Sequence, residues 1–153
     1  TIFFYLIIYL ITTFGVFSVI LNLRTSDGEI TLLTGLNGLK ASSRSKAISM
    51  LVFLFSLAGI PPFAGFFAKF FILSASINEG FYILSVIAVI SSVIAAFYYL
   101  SVIKNMFFNE SETELLLDNN RFSSFIFISS AIIITLFFFY PDPLINLVDS
   151  LFN

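Results

Sequence analysis

The chain of 153 residues is 59% hydrophobic, 18% aromatic and only 10% charged, with a formal net charge of −2 and a mean hydropathy of +1.05. That balance excludes an ordinary soluble domain and belongs in a bilayer. With no cysteine and no histidine, the chain has no means of building an iron–sulfur centre, the usual zinc or haem site, or a disulfide, and its scattered charges present no basic face to nucleic acid.

Residues 2–23 are uncharged and of spanning length, so they read as a first membrane helix. Thr12, Thr13 and Gly15 near its centre are the small and polar residues that mark a helix contact. Because Thr1 opens this span with no basic segment before it, no cleavable signal or transit peptide is expected. The 22 phenylalanines beside an absence of tryptophan fit translation from an AT-rich genome such as an organelle's. Residues 24–45 are polar, carry Gly28, Gly35 and Gly38 with acids and bases of both signs, and read as a loop outside the bilayer.

From Lys46 to Ile77 the only charged side chain after the first residue is Lys69. One straight helix of that length would rise roughly 48 Å at ~1.5 Å per residue, against a hydrocarbon core of about 30 Å. Pro61 and Pro62 resolve the excess. Each lacks a backbone donor, and Pro62 pushes Pro61 out of the helical region, so the helix stops near Ala58 and restarts near Phe63. Gly59 and Gly65 flank the break and let the chain turn. An unwound turn at membrane depth leaves carbonyls that lipid does not satisfy, so the break faces protein or a water-filled cavity, the setting in which transporters handle ions.

Lys69 lies two turns past the break and about 13 Å by helical rise from the polar end at Asn78, beyond the easy reach of a snorkelling lysine. An ammonium held there costs several kcal/mol, relieved by giving up its proton or by a nearby counter-charge or water. A group that gains and loses a proton at low cost is a candidate proton relay. The competing structural reading is that Lys69 tilts to the headgroups or pins a helix interface by a hydrogen bond.

Asn78, Glu79 and Gly80 form a tight polar turn, and residues 81–104 make a third span with Ser85, Ala88, Ser92, Ala95 and Tyr99 on a narrow face. Residues 105–120 are a second polar loop, acidic from Glu110 to Asp118. Residues 122–140 are a fourth span closed by Pro141 and Pro143, and the amphipathic tail 144–152 is expected at the interface. The expected fold is therefore an all-α polytopic membrane protein in a single membrane domain of four transmembrane helices, the second discontinuous at Gly59–Pro62. Apart from Lys69, all the basic residues (Arg24, Lys40, Arg44, Lys46, Lys104 and Arg121) then fall on the side of the two loops, which the positive-inside rule makes cytoplasmic or, in a mitochondrion, matrix.

The stretch SLAGIPPFAGFFAKF (56–70) resembles the antiporter-like proton-pumping subunits of respiratory NADH:ubiquinone oxidoreductase, complex I, and within them the carboxyl-terminal part of the subunit 2 branch of NADH dehydrogenase. YLITTFGVFSVI (9–20) is similar to the helix before the broken one, and AFYYLSVIKNMF (96–107) to the segment that follows. Phe70 after the lysine favours subunit 2 over its paralogues. The resemblance covers nearly the whole chain, with the last forty residues weakest.

Family members have fourteen spans, so this chain matches the last four, and the resemblance implies either a split subunit, with another chain supplying the first ten helices, or a truncated subunit, the split being favoured. It implies that Lys69 donates and accepts protons while Gly59, Pro61, Pro62 and Gly65 shape the break. Tyr98, Tyr99 and Lys104 are possible linings of the path, though packing suits the tyrosines as well and a topology anchor suits Lys104 better. The resemblance implies no cofactor in this chain, with NADH, FMN, iron–sulfur clusters and ubiquinone in other subunits. Implied partners are other complex I membrane subunits and the lipid bilayer, in the mitochondrial inner membrane with loops 24–45 and 105–120 on the matrix side. A subunit of a multi-subunit sodium/proton antiporter, a structural membrane subunit without pumping, and a plastid complex are the alternatives left open.

Overall fold

The computed structural model describes residues 2–25, 28 and 29, 33–110, 115–117 and 121–137. Six α-helices dominate them: α1 Ile2–Ile20, α2 Leu39–Ser42, α3 Arg44–Ala58, α4 Ala64–Asn78, α5 Tyr82–Phe108 and α6 Arg121–Leu136. The helix expected over residues 46–77 is divided: α3 ends at Ala58 and α4 begins at Ala64. α1 and α5 are each long and apolar enough to cross a bilayer, while α4 and α6 are shorter apolar helices.

The helices sort into two ends. At one end Phe4 of α1 meets Phe71 of α4 and Phe137 beyond α6, with ring centroids 6.0 and 5.3 Å apart. At the other, Ser18 of α1 lies 3.0 Å from the hydroxyl of Ser123 on α6. The Asn22 side-chain amide donates to the Ser18 carbonyl and to Ser123 Oγ, so a carbonyl orphaned at the end of α1 has a donor. That requirement ends α1 at Ile20 rather than at residue 23. Lys46, in the first turn of α3, is buried, and its Nζ donates to the Asn22 carbonyl at 3.2 Å.

Both polar segments sit at this second end. The expectation of an all-α fold meets one small exception here: β1 Leu23–Thr25 pairs antiparallel with β2 Gly28–Glu29 on one side and β3 Leu115–Leu117 on the other. The short ladder gives backbone donors and acceptors of the two loops partners that no helix supplies. Nor is the first segment a plain loop. A 3-10 turn Leu33–Leu36 and α2 run through it, Leu36 and Leu39 are buried, and the Gly38 N–H donates to the Asn105 carbonyl at 3.4 Å. Met106 is buried as well, and this packing carries α5 one turn past the expected end at residue 104. Residues 138–140 of the expected fourth span and the tail 144–152 lie outside the described residues.

A close helix contact joins α1 and α3. The Phe53 ring, fully buried, lies on Gly15 so closely that a Cβ at residue 15 would fall inside contact distance of its ring carbons. Gly15 therefore works as the small contact residue its position implied. Gly15→Val overpacks this interface and is expected to cost about 1–3 kcal/mol, read as a lower thermal midpoint of the detergent-purified protein. Ala88→Val, on an exposed position of α5, adds bulk to a helix away from the α1–α3 contact and serves as its control.

Candidate functional site

Between α3 and α4 the main chain must find partners for the last carbonyls of one helix and the first N–H groups of the next. Gly59 takes the left-handed conformation, φ +81°, which only a residue without a Cβ adopts freely. Its N–H donates to the Ser56 carbonyl at 3.0 Å, and the Ile60 N–H donates to the Phe55 carbonyl at 3.0 Å. This is the Schellman arrangement, which accounts for two of the four orphaned carbonyls. On the far side, the Gly65 N–H donates to Ser56 Oγ at 3.1 Å. A Cβ on Gly65 would collide with the Ser56 carbonyl oxygen, so the two half-helices approach as closely as they do only with glycine there.

The carbonyls of Leu57 and Ala58 remain, and Lys69 takes both. From the second turn of α4 its side chain leans back toward the break, as helical side chains do, and Nζ donates to the Leu57 carbonyl at 2.8 Å and the Ala58 carbonyl at 3.4 Å. The amine thus sits at the C-terminal end of α3, where the helix dipole favours positive charge. Lys69 is half-buried rather than turned to the exterior. Pro61 and Pro62, joined by a cis peptide bond, form the exposed tip of the break.

Lys69 borders a cavity of about 220 Å³ between α1, the break and α5. Its polar lining is almost entirely hydroxyl: Tyr5, Tyr9 and Thr12 from α1, Ser56 from α3, and Ser91, Ser92 and Tyr99 from α5. Thr12 Oγ1 donates to the Ile8 carbonyl at 2.7 Å, and Tyr5 and Tyr9 stack at 6.2 Å. No carboxylate is among the described lining residues. Of the residues the sequence assigned to the relay, the break and the path, Lys69, Gly65 and Tyr99 line this cavity, with Gly59 against the Lys69 side chain, and the helix-contact residues Thr12, Ser92 and Ala95 line it as well. Tyr98 and Lys104 are exposed on α5 and lie outside it, and Pro61 and Pro62 lie beyond it at the tip.

A family model described as the NADH:quinone oxidoreductase/Mrp antiporter transmembrane family matches residues 1–95, a stretch that includes the break and Lys69. The chain belongs to this family. It is 42% identical over 142 residues to NADH-quinone oxidoreductase subunit N of Rhodospirillum rubrum, covering 93% of this chain and 29% of that protein. It is 36% identical over 149 residues to NADH-ubiquinone oxidoreductase chain 2 of Oenothera berteroana, covering 95% and 30%. A chain in the structure of respiratory complex I from Thermus thermophilus with bound aureothin superposes with a TM-score of 0.80 at 25% identity, over 91% of this chain and 32% of that one. The chain thus spans about 30% of the length of the curated relatives it matches.

Tyr5, Tyr9, Ser56 and Ser91 had no place in the sequence reading of this antiporter-family chain. A signal was present on α1, where Tyr5, Tyr9 and Thr12 fall at i, i+4 and i+7 on one face. The geometry of the break orders two substitutions. Gly65→Ala drives a Cβ into main chain that has no room to move, whereas Gly59→Ala meets the flexible Lys69 side chain and carries the cost of a left-handed alanine, of order 1 kcal/mol. Thermal unfolding in detergent is expected to show the larger loss for Gly65→Ala.

Proposed function

We propose that this chain is a membrane-embedded, proton-translocating part of an NADH:quinone oxidoreductase, with Lys69 as its intramembrane proton relay. The observation that carries the proposal is the position of the Lys69 amine, on two main-chain carbonyls of a broken helix and beside a hydroxyl-lined cavity. The carbonyls and the α3 dipole hold the charged form, and the hydroxyls offer donors and acceptors to a proton arriving or leaving. Gly59, Pro61, Pro62 and Gly65 keep the break open, and Tyr99 lines the path.

The work of such a subunit is electrostatic. Redox chemistry in other subunits shifts a charge, and the proton affinity of the lysine responds through the coupling between sites. A chain without cysteine or histidine suits this role, with NADH, FMN, iron–sulfur clusters and ubiquinone held elsewhere in the complex.

We place α1, the α3–α4 pair, α5 and α6 as four spans, with loops 24–45 and 105–120 on the matrix side of the mitochondrial inner membrane. The short sheet that joins described parts of the two loops at one end supports their placement on one side of the membrane. Other membrane subunits of the complex are the partners, including the polypeptide segment that carries the remaining ten helices of the family pattern, packed against α1. The family description also covers Mrp antiporters, so a sodium/proton antiporter subunit is the second reading. Purification with a flavin and iron–sulfur assembly excludes it.

Two substitutions at one position separate a relay from a structural cap. Lys69→Met removes both roles, whereas Lys69→Arg keeps a donor for the carbonyls but gives up reversible protonation, since arginine does not deprotonate in proteins. In the assembled complex in liposomes, both are expected to lose most proton pumping while NADH oxidation by an artificial acceptor persists. Full pumping with Lys69→Arg overturns the relay and leaves the cap.

A further inference from the structure

A hollow of about 540 Å³ opens at the loop end of the molecule, away from Lys69, between α2, the start of α3 and the end of α5. Lys40 and Arg44 contribute its charge, and Phe107, Phe108 and Asn109 its floor and rim. The hollow is held together from within, since the Gly38 N–H ties the α2 segment to the Asn105 carbonyl of α5. Its volume lies in the range of small-molecule sites.

Three features of this hollow point to the same ligand chemistry. Lys40 Nζ stands 5.6 Å from the centroid of the Phe107 ring, which restrains an otherwise free lysine at the mouth. Arg44 adds a planar fork of donors suited to two phosphate oxygens. The third feature is the route in: Val93, Phe97, Leu100 and Phe108 of α5 are exposed apolar residues that lead along the helix to the hollow. Lys104, exposed between Leu100 and Phe108 at a spacing of four from each, puts a further cation where that apolar track ends. Among the described lining residues Glu110 also lies on the rim and opposes an anion, and Lys40 and Arg44 outnumber it.

We propose that this hollow binds the headgroup of an anionic phospholipid, with Lys40 and Arg44 on the phosphate and the acyl chains along the exposed track of α5. A free phosphate would use the cations but not the track, and a zwitterionic lipid would use the track but gain less from the cations. Basic hollows beside membrane helices on the cytoplasmic or matrix side are where such headgroups are held. The inference needs the membrane placement of α5 and not the chemistry at Lys69.

The test uses the assembled complex in native membranes or liposomes and diazirine-tagged phospholipids. Tagged phosphatidylglycerol is expected to label α5 near Phe97–Phe108 in preference to tagged phosphatidylcholine, and the preference to fall roughly fivefold for each base removed in Lys40→Gln and Arg44→Gln. Equal labelling by the two lipids in the unmodified complex overturns the proposal without any variant having to assemble. So does complete protection of the site by millimolar inorganic phosphate, which would assign the hollow to a soluble anion. Pumping by the two variants is expected to stay at the unmodified level, so loss of labelling and loss of the relay are read separately.

Discussion

The last turn of α3 ends where α4 does not continue it, and the partners that its final carbonyls find organise the fold around the break. In a bilayer each unsatisfied carbonyl costs several kcal/mol. The sequence answers with two devices of different kinds. A left-handed glycine folds the chain back so that its own N–H groups serve Phe55 and Ser56, and a lysine from the next helix serves Leu57 and Ala58. The first device is local and common to soluble proteins. The second reaches across the break and so fixes α4 against α3, because the amine meets those carbonyls only if the half-helices hold their close approach at Gly65.

The cavity follows from the same arrangement. Where the chain departs from the helix between Ala58 and Ala64, the side chains that a continuous helix would stack there are displaced, and α1 and α5 border the space left with the hydroxyls of Tyr5, Tyr9, Thr12, Ser91, Ser92 and Tyr99 beside the apolar Ile8 and Ala95. A pair of packing contacts holds α1 in place. At mid-depth Phe53 fits over Gly15, and at the loop end Asn22 and Ser18 meet Ser123 while Lys46 reaches the Asn22 carbonyl. The proton chemistry proposed at Lys69 thus leans on a scaffold whose polar contacts are concentrated at one end and whose middle is held by shape.

How much of this was legible beforehand depends on whether a feature is local. The position of the break was readable because Pro61 and Pro62 forbid helix wherever they occur, and the end at Ala58 and restart at Ala64 lie within a residue of that reading. The place of Lys69 in the second turn after the break was readable from residue counting. What the lysine touches was not, because its acceptors are backbone atoms and leave no letter in the sequence. Tyr5 and Tyr9 were missed since their relevance depends on which face of α1 meets the break, a matter of tertiary packing. The buried segments of the first polar loop escaped for a similar reason: the 3-10 turn and α2 pack on α5, about seventy positions further along the chain, and single leucines such as Leu36 and Leu39 amid polar residues and glycines do not announce such a partner.

One property of the Lys69 contact reaches beyond this molecule. Both of its acceptors belong to the peptide backbone, which no codon change removes. Any lineage that replaces the amine with a hydrocarbon group inherits two carbonyl oxygens without that donor, a fault repaired only by a water molecule or a donor recruited from somewhere else. Change at residue 69 is therefore constrained by the main chain beneath it, whatever chemistry the amine performs.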